Sequence, residues 1–151
     1  MNSQVKEGKG KFEFLPHTAD IKFRAYGKNL SKLFENSALA MFNSMYSGKV
    51  KSKMRKSFSI VGRENNLEAL LYSFLEKFLI LLDTKNFFVA KLKVKIIFVD
   101  GKTRLNAEVF GDSVKNYQID LDVKAVTYNE MFIKRISKSN NSWVCQVVLD
   151  V

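Results

Sequence analysis

The sequence predicts an α+β protein in which two helices are sandwiched between β-sheets, mostly antiparallel. Three observations lead there. Helical periodicity is confined to residues 30–45 and 67–82, with strand-like alternation before, between and after them. That segregation differs from the regular strand–helix alternation that builds a parallel sheet. The second helical stretch is apolar around about 200° of its circumference, roughly twice the stripe of an ordinary surface helix, so it must be covered on more than one side.

Residues 1–10 are polar and charged and read as a flexible tail, leaving 11–151 as one domain. "KFEFL" (Lys11 to Leu15) alternates with Phe12 and Phe14 on one face, and "IKFRAYG" alternates again. "PHTAD" joins these two strands. It holds the chain's only proline and only histidine, Pro16 and His17, followed by Asp20. Pro16 has no N–H to give a ladder and so marks a strand end. Asn29 is placed to cap a helix whose apolar residues, from Leu30 through Met45, recur at spacings of three and four. The basic run Lys49 to Lys56 reads as a solvated loop, and Ser57 to Gly62 as a short strand. Asn66 caps the second helix, Leu67 to about Leu82.

The remainder reads as strands. Leu92, Val94 and Ile96 face one way and Lys91, Lys93 and Lys95 the other. "DGK" at Asp100 to Lys102 is a hairpin signal, and "RLNAEVFG" is the returning strand. "YQIDLDVKAVTYNEMFIKRI" holds one or two strands broken near Asp120 to Lys124. "SKSNNS" is a turn, and "WVCQVVLDV" the last strand.

Composition narrows the function classes. At 46% hydrophobic and 13% aromatic, the chain can build a core, which excludes disorder as its main character. No apolar run reaches the roughly 18 residues of a membrane-spanning helix, and the N-terminus lacks the apolar region of a secretory signal. The single cysteine, Cys145, cannot form an internal disulfide, which fits a reducing compartment and a cytoplasmic location. One histidine and one cysteine exclude a Cys/His zinc site, so any metal would be a hard cation on oxygen ligands. Cys145 reads as a small buried apolar residue, which disfavours a His17–Cys145 nucleophile pair. The net charge of +10 favours anionic partners, RNA and acidic proteins among them.

The stretch "HTADIKFRAYGKNLSKLFENSALAMFNSM" resembles the archease family. His17, Thr18, Ala19, Asp20, Gly27, Phe34 and Glu35 match the family's opening. "NLEALLYSFLEKFLILLD" resembles its second helix, "VKAVTY" its K-A-[IV]-T-Y element, and "VVLDV" its terminal element. The four elements fall in order across about residues 12–151. Two departures stand out: Asn129 replaces the usual histidine after T-Y, and an upstream histidine is absent.

The resemblance implies a non-enzymatic protein cofactor of the RtcB-type RNA ligase of tRNA splicing and RNA repair. Such a cofactor promotes guanylylation and repeated turnover of the ligase. It also implies helices between sheets and a divalent-metal site at Asp20, Asp150 and Val151. The metal expected there is calcium, with magnesium or manganese as alternatives. Glu35, Lys124 and His17 are the residues expected to act in partner activation. The alternative function is an RNA-binding protein acting directly on tRNA through its basic surface. A stand-alone metal-dependent hydrolase using Asp20 and Asp150 lacks an evident general base or nucleophile. Each residue also has an ordinary reading: Asp20 as a turn acid, Glu35 as a helix-surface acid, Lys124 as a solvated lysine and His17 as a hydrogen-bonded structural residue.

Overall fold

A computed structural model describes residues 10–137 and 142–151. The tail expected at 1–10, Gly10 excepted, and most of the "SKSNNS" turn lie outside the described residues. Strands β1 (Phe12–Leu15) and β2 (Ile21–Gly27) pair antiparallel, with Phe14 opposite Phe23. Gly27 is required where it stands: a Cβ there would lie 2.3 Å from the backbone nitrogen of Leu33. Its absence lets helix α1 (Leu30–Met45) start hard against the end of β2. Asn29 caps α1, its side chain accepting from the Lys32 N–H at 2.8 Å.

Strand β3 (Met54–Arg63) begins earlier than the sequence pattern suggests, so Met54, Arg55 and Lys56 of the basic run are strand. Their alternation of half-buried and exposed residues continues that of Ser57 to Gly62. Helix α2 (Leu67–Lys85) is capped by Asn66, which accepts from the Ala69 N–H at 3.0 Å. It ends at Asn86, in the left-handed region at φ 55°, whose N–H reaches the carbonyls of Leu81 and Leu82. Strands β4 (Phe87–Val99) and β5 (Lys102–Ser113) form the expected hairpin, with Asp100 at φ 52° and Gly101 at φ 73° in a two-residue turn. A short 3₁₀ turn (Val114–Asn116) follows, then irregular chain, then β6 (Ala125–Ser137) and β7 (Ser142–Asp150).

Two sheets result, a four-stranded one in the order β1-β2-β7-β6 and a three-stranded one in the order β3-β5-β4, with all neighbours antiparallel. The helices lie between them. Helix α1 packs on β2 of one sheet and β4 of the other, and α2 on β6 of one and β3 of the other. This is the α+β sandwich expected from the double-sided helix. Leu70, Leu71, Phe74, Leu75 and Phe78 of α2 are buried. Phe74 meets the rings of Phe34, Phe58 and Phe78 at 5.5, 6.2 and 4.9 Å, linking both helices and the three-stranded sheet. No helix among the described residues is long and apolar enough to cross a membrane.

Candidate functional site at one end of the four-stranded sheet

Antiparallel register brings three chain segments together. Ile21 opens β2 opposite Leu149, while Ala125 opens β6 opposite Asp150. Asp20, Asp150 and Lys124 therefore meet at one end of the four-stranded sheet. The Lys124 N–H donates to the Asp150 carbonyl at 2.8 Å, so Lys124 closes the sheet end through its backbone, and its side chain is exposed. Val151 packs against the core, which seats the strand's last residues.

The turn holding His17 and Asp20 forms one wall of a cleft of about 460 Å³, lined also by Lys22, Asn43, Ser44 and Ser47. Ala19 takes φ 67° in this turn. The His17 Nε2–H donates to Glu130 at 3.1 Å. Its Nδ1 has no hydrogen-bond partner and lies 3.8 Å from the Asp20 carboxylate. Lys22 donates to the other Glu130 oxygen at 3.0 Å. These two bonds, Lys22 first and His17 second, hold the Glu130 carboxyl below its ordinary range.

Glu130 comes from an irregularity in β6. Thr127 pairs with Val148 and Phe132 with Gln146, so Tyr128 to Met131 stand opposite Val147 alone. Glu130 itself sits at φ 54°. The bulged segment is fastened from two directions. Gln146 Nε2 donates to the Glu130 carbonyl at 2.8 Å while its Oε1 accepts from Arg24 at 2.9 Å. Tyr128 stacks on Tyr72 of α2, centroids 4.3 Å apart and planes within 7°. Asn129, at the position of the family's usual histidine, is exposed, and its N–H is bonded to Thr127 Oγ1 at 3.3 Å.

Glu35 is elsewhere. It is buried in α1, bonded to Lys32 at 3.1 Å, and accepts the N–H of Val94 in β4 at 2.8 Å. It is a structural tie to the three-stranded sheet and takes no bond from the His17 turn. Sequence reasoning missed Glu130, Lys22, Gln146 and Arg24. Their partnership spans more than a hundred residues and depends on a bulge that no glycine announces.

The expected metal site is overturned. Among the described residues, no group of three or more His, Cys, Asp or Glu side chains could hold a metal ion. The physical reason is visible in the neighbours: Asp20 is 3.8 Å from His17, and the nearby acid Glu130 is already engaged by the ammonium of Lys22 and by His17. Of the expected ligands only Asp20 and Asp150 are acid side chains, and Glu130 is not free to serve as a third, so neither calcium nor another divalent ion is assigned here. Metal binding is likewise removed from the functional description. The thiol of Cys145 is fully buried, and burial pushes it up to about 11, which agrees with its reading as a packing residue.

Comparison with known proteins settles the family. Residues 12–151 match the model of the archease protein family (MTH1598/TM1083). The chain belongs to the archease family. It is 36% identical to the archease of Methanosarcina barkeri over 100% of both chains. It is also 36% identical to that of Pyrococcus furiosus, over 93% of this chain and 98% of that one. The solution structure of Methanobacterium thermoautotrophicum protein 1598 superposes with a TM-score of 0.80 at 34% identity, covering 94% of this chain and 99% of that one.

Proposed function

We propose that this archease is a protein partner of an RtcB-type RNA ligase, raising the ligase's activity in the cytoplasm. The observation that carries the reading is the family match across residues 12–151. The sheet end described above is the face we assign to the ligase. It presents Asp20 and Asp150, with Glu130 and His17 behind them, on an otherwise basic protein. Acids repel a nucleotide triphosphate, so these carboxylates suit cationic side chains around the ligase's nucleotide pocket better than the nucleotide itself. His17 and Glu130 act in this reading as positioning residues for the Asp20 turn, and Lys124 flanks the contact. Glu35 supports the fold from a distance.

The test is formation of the covalent guanylylated ligase from labelled GTP, with and without this protein. Stimulation by the wild-type protein, abolished in Asp20→Ala and Asp150→Ala while their thermal melts stay unchanged, is the expected result. Full stimulation by both variants would remove the sheet end from the interface, and no stimulation by the wild type would refute the partnership.

A further inference from the structure

The outward face of the three-stranded sheet has no cover among the described residues. Alternation puts Arg63 of β3, Lys91, Lys93 and Lys95 of β4, and Lys102 and Arg104 of β5 on this one side, all exposed. None of them forms an ion pair with a described residue. The acid on the face, Glu108, is already neutralised by Arg55. Between the cations runs a shallow trough of about 640 Å³, centred on Ser57, Ser59, Lys93, Lys95 and Asn106. The Ser59 hydroxyl donates to Asn106 Oδ1 at 2.6 Å, which leaves the Asn106 amide N–H groups to donate outward. The trough is thus rich in donors. Exposed apolar residues, Val61, Ile97 and Val99, are confined to the hairpin end of the face.

We infer that this face is a docking surface for the sugar-phosphate backbone of an RNA strand. A sheet face whose β4 strand carries a lysine at every second residue from Lys91 to Lys95, with further cations on β3 and β5, neutralises successive phosphates, and such pairings hold a nucleic acid without reading its sequence. Serine and asparagine among the lysines supply partners for ribose 2′-hydroxyls. An acidic protein partner fits less well, because protein interfaces concentrate affinity in aromatic or arginine anchors seated in desolvated pockets, and this trough is open and polar. The site lies on a different sheet from the ligase-binding face proposed above and stands or falls separately from it.

The experiment is fluorescence anisotropy of a labelled, tRNA-length hairpin RNA titrated with the full chain across a range of sodium chloride. Lys93→Ala/Lys95→Ala/Arg104→Ala is compared with Lys28→Ala/Lys49→Ala/Lys115→Ala, which removes equal charge from other exposed positions. Circular dichroism melts verify that both remain folded. The face variant should bind about tenfold or more weakly, and its log–log salt slope should fall by about three, one for each phosphate that is no longer neutralised. The control variant should keep the wild-type slope. Equal weakening in both variants, or wild-type binding by the face variant, would overturn the inference. So would a face variant that binds RNA normally but no longer captures the ligase, since the face would then be a protein-docking surface. Stimulation of guanylylation without RNA should be unchanged by the face variant, which separates this result from the ligase reading.

Discussion

The outer faces of the two sheets are built on opposite plans. On the four-stranded sheet, the chain folds back over itself. The β6 bulge is bonded to Gln146 on that face, and Val148, outward by alternation from Val147 and Leu149, is nonetheless buried. Glu130 gathers His17 and Lys22 there, so opposite charges are matched within the molecule. On the three-stranded sheet, alternation runs almost without interruption, and most of its cations, Lys93, Lys95, Lys102 and Arg104 among them, are exposed and without an ion-pair partner among the described residues. Irregular backbone assembles a local constellation from distant residues, whereas regular backbone displays a periodic surface. The first is suited to a defined contact and the second to an extended, repetitive ligand.

Three changes would break or sharpen this contrast. The largest effect belongs to the core both sheets share. Phe74→Ala removes a fully buried ring between the helices and should cost about 3–5 kcal/mol in urea unfolding, as for other large core aromatics. A loss under about 1 kcal/mol, the range of surface changes, would show that the helix layer is less enclosed than described. Next comes a change confined to the three-stranded side. Glu35→Ala strands the N–H of Val94 without its acceptor and should cost about 1–3 kcal/mol, with Glu35→Gln, which can still accept, costing less. Equal losses for both would mean that the negative charge, and not the hydrogen bond, matters there.

The smallest effect belongs to the folded-over face. Glu130 has its carboxyl depressed below the ordinary 4.5 by Lys22 and then His17. A depressed carboxyl contributes stability that is complete above its unfolded value and lost as pH falls through its folded value. The melting temperature should therefore drop on acidification below about pH 4.5, and less steeply in Glu130→Gln. The group is exposed, so salt should shrink the difference. Asp112 adds to the same acid limb in both proteins, because the Tyr117 hydroxyl, the Ser113 N–H and Asn116 hold its carboxyl low against the opposing effect of burial.

Local chemistry explains which parts are legible in the sequence. Asn29 and Asn66 are caps whose side chains act within three residues, and both helices start where the sequence predicts. "DG" writes its own turn. The end of α2 at Lys85, three residues beyond the expected Leu82, depends on Asn86 adopting a left-handed backbone, which its identity allows but does not compel. The strand character of Met54 to Lys56 is hidden by charge, since lysine and arginine on an exposed strand face look like loop residues. "YQI" before Asp120 has the pattern of a strand, but Tyr117 is instead held by Asp112 and Lys51 in irregular chain. The convergence of Asp20, Asp150 and Lys124 is legible through resemblance alone. The cation expected among them is wrong because the sequence does not reveal that Glu130, the further acid that folding brings to this turn, is already taken by Lys22 and His17.

The bond from Glu35 to Val94 also bears on how these molecules behave in a crowd. Strand β4 is an outer member of its sheet, and its unpaired backbone could template a strand from another copy. A buried carboxylate already fills the Val94 position, and the register break between Val89 and Lys91 bends the same strand. An incoming strand would have to displace an anion and follow a kinked rim. At this position the edge is blocked from within the chain, and Glu35→Ala would free the Val94 N–H for a strand from another copy.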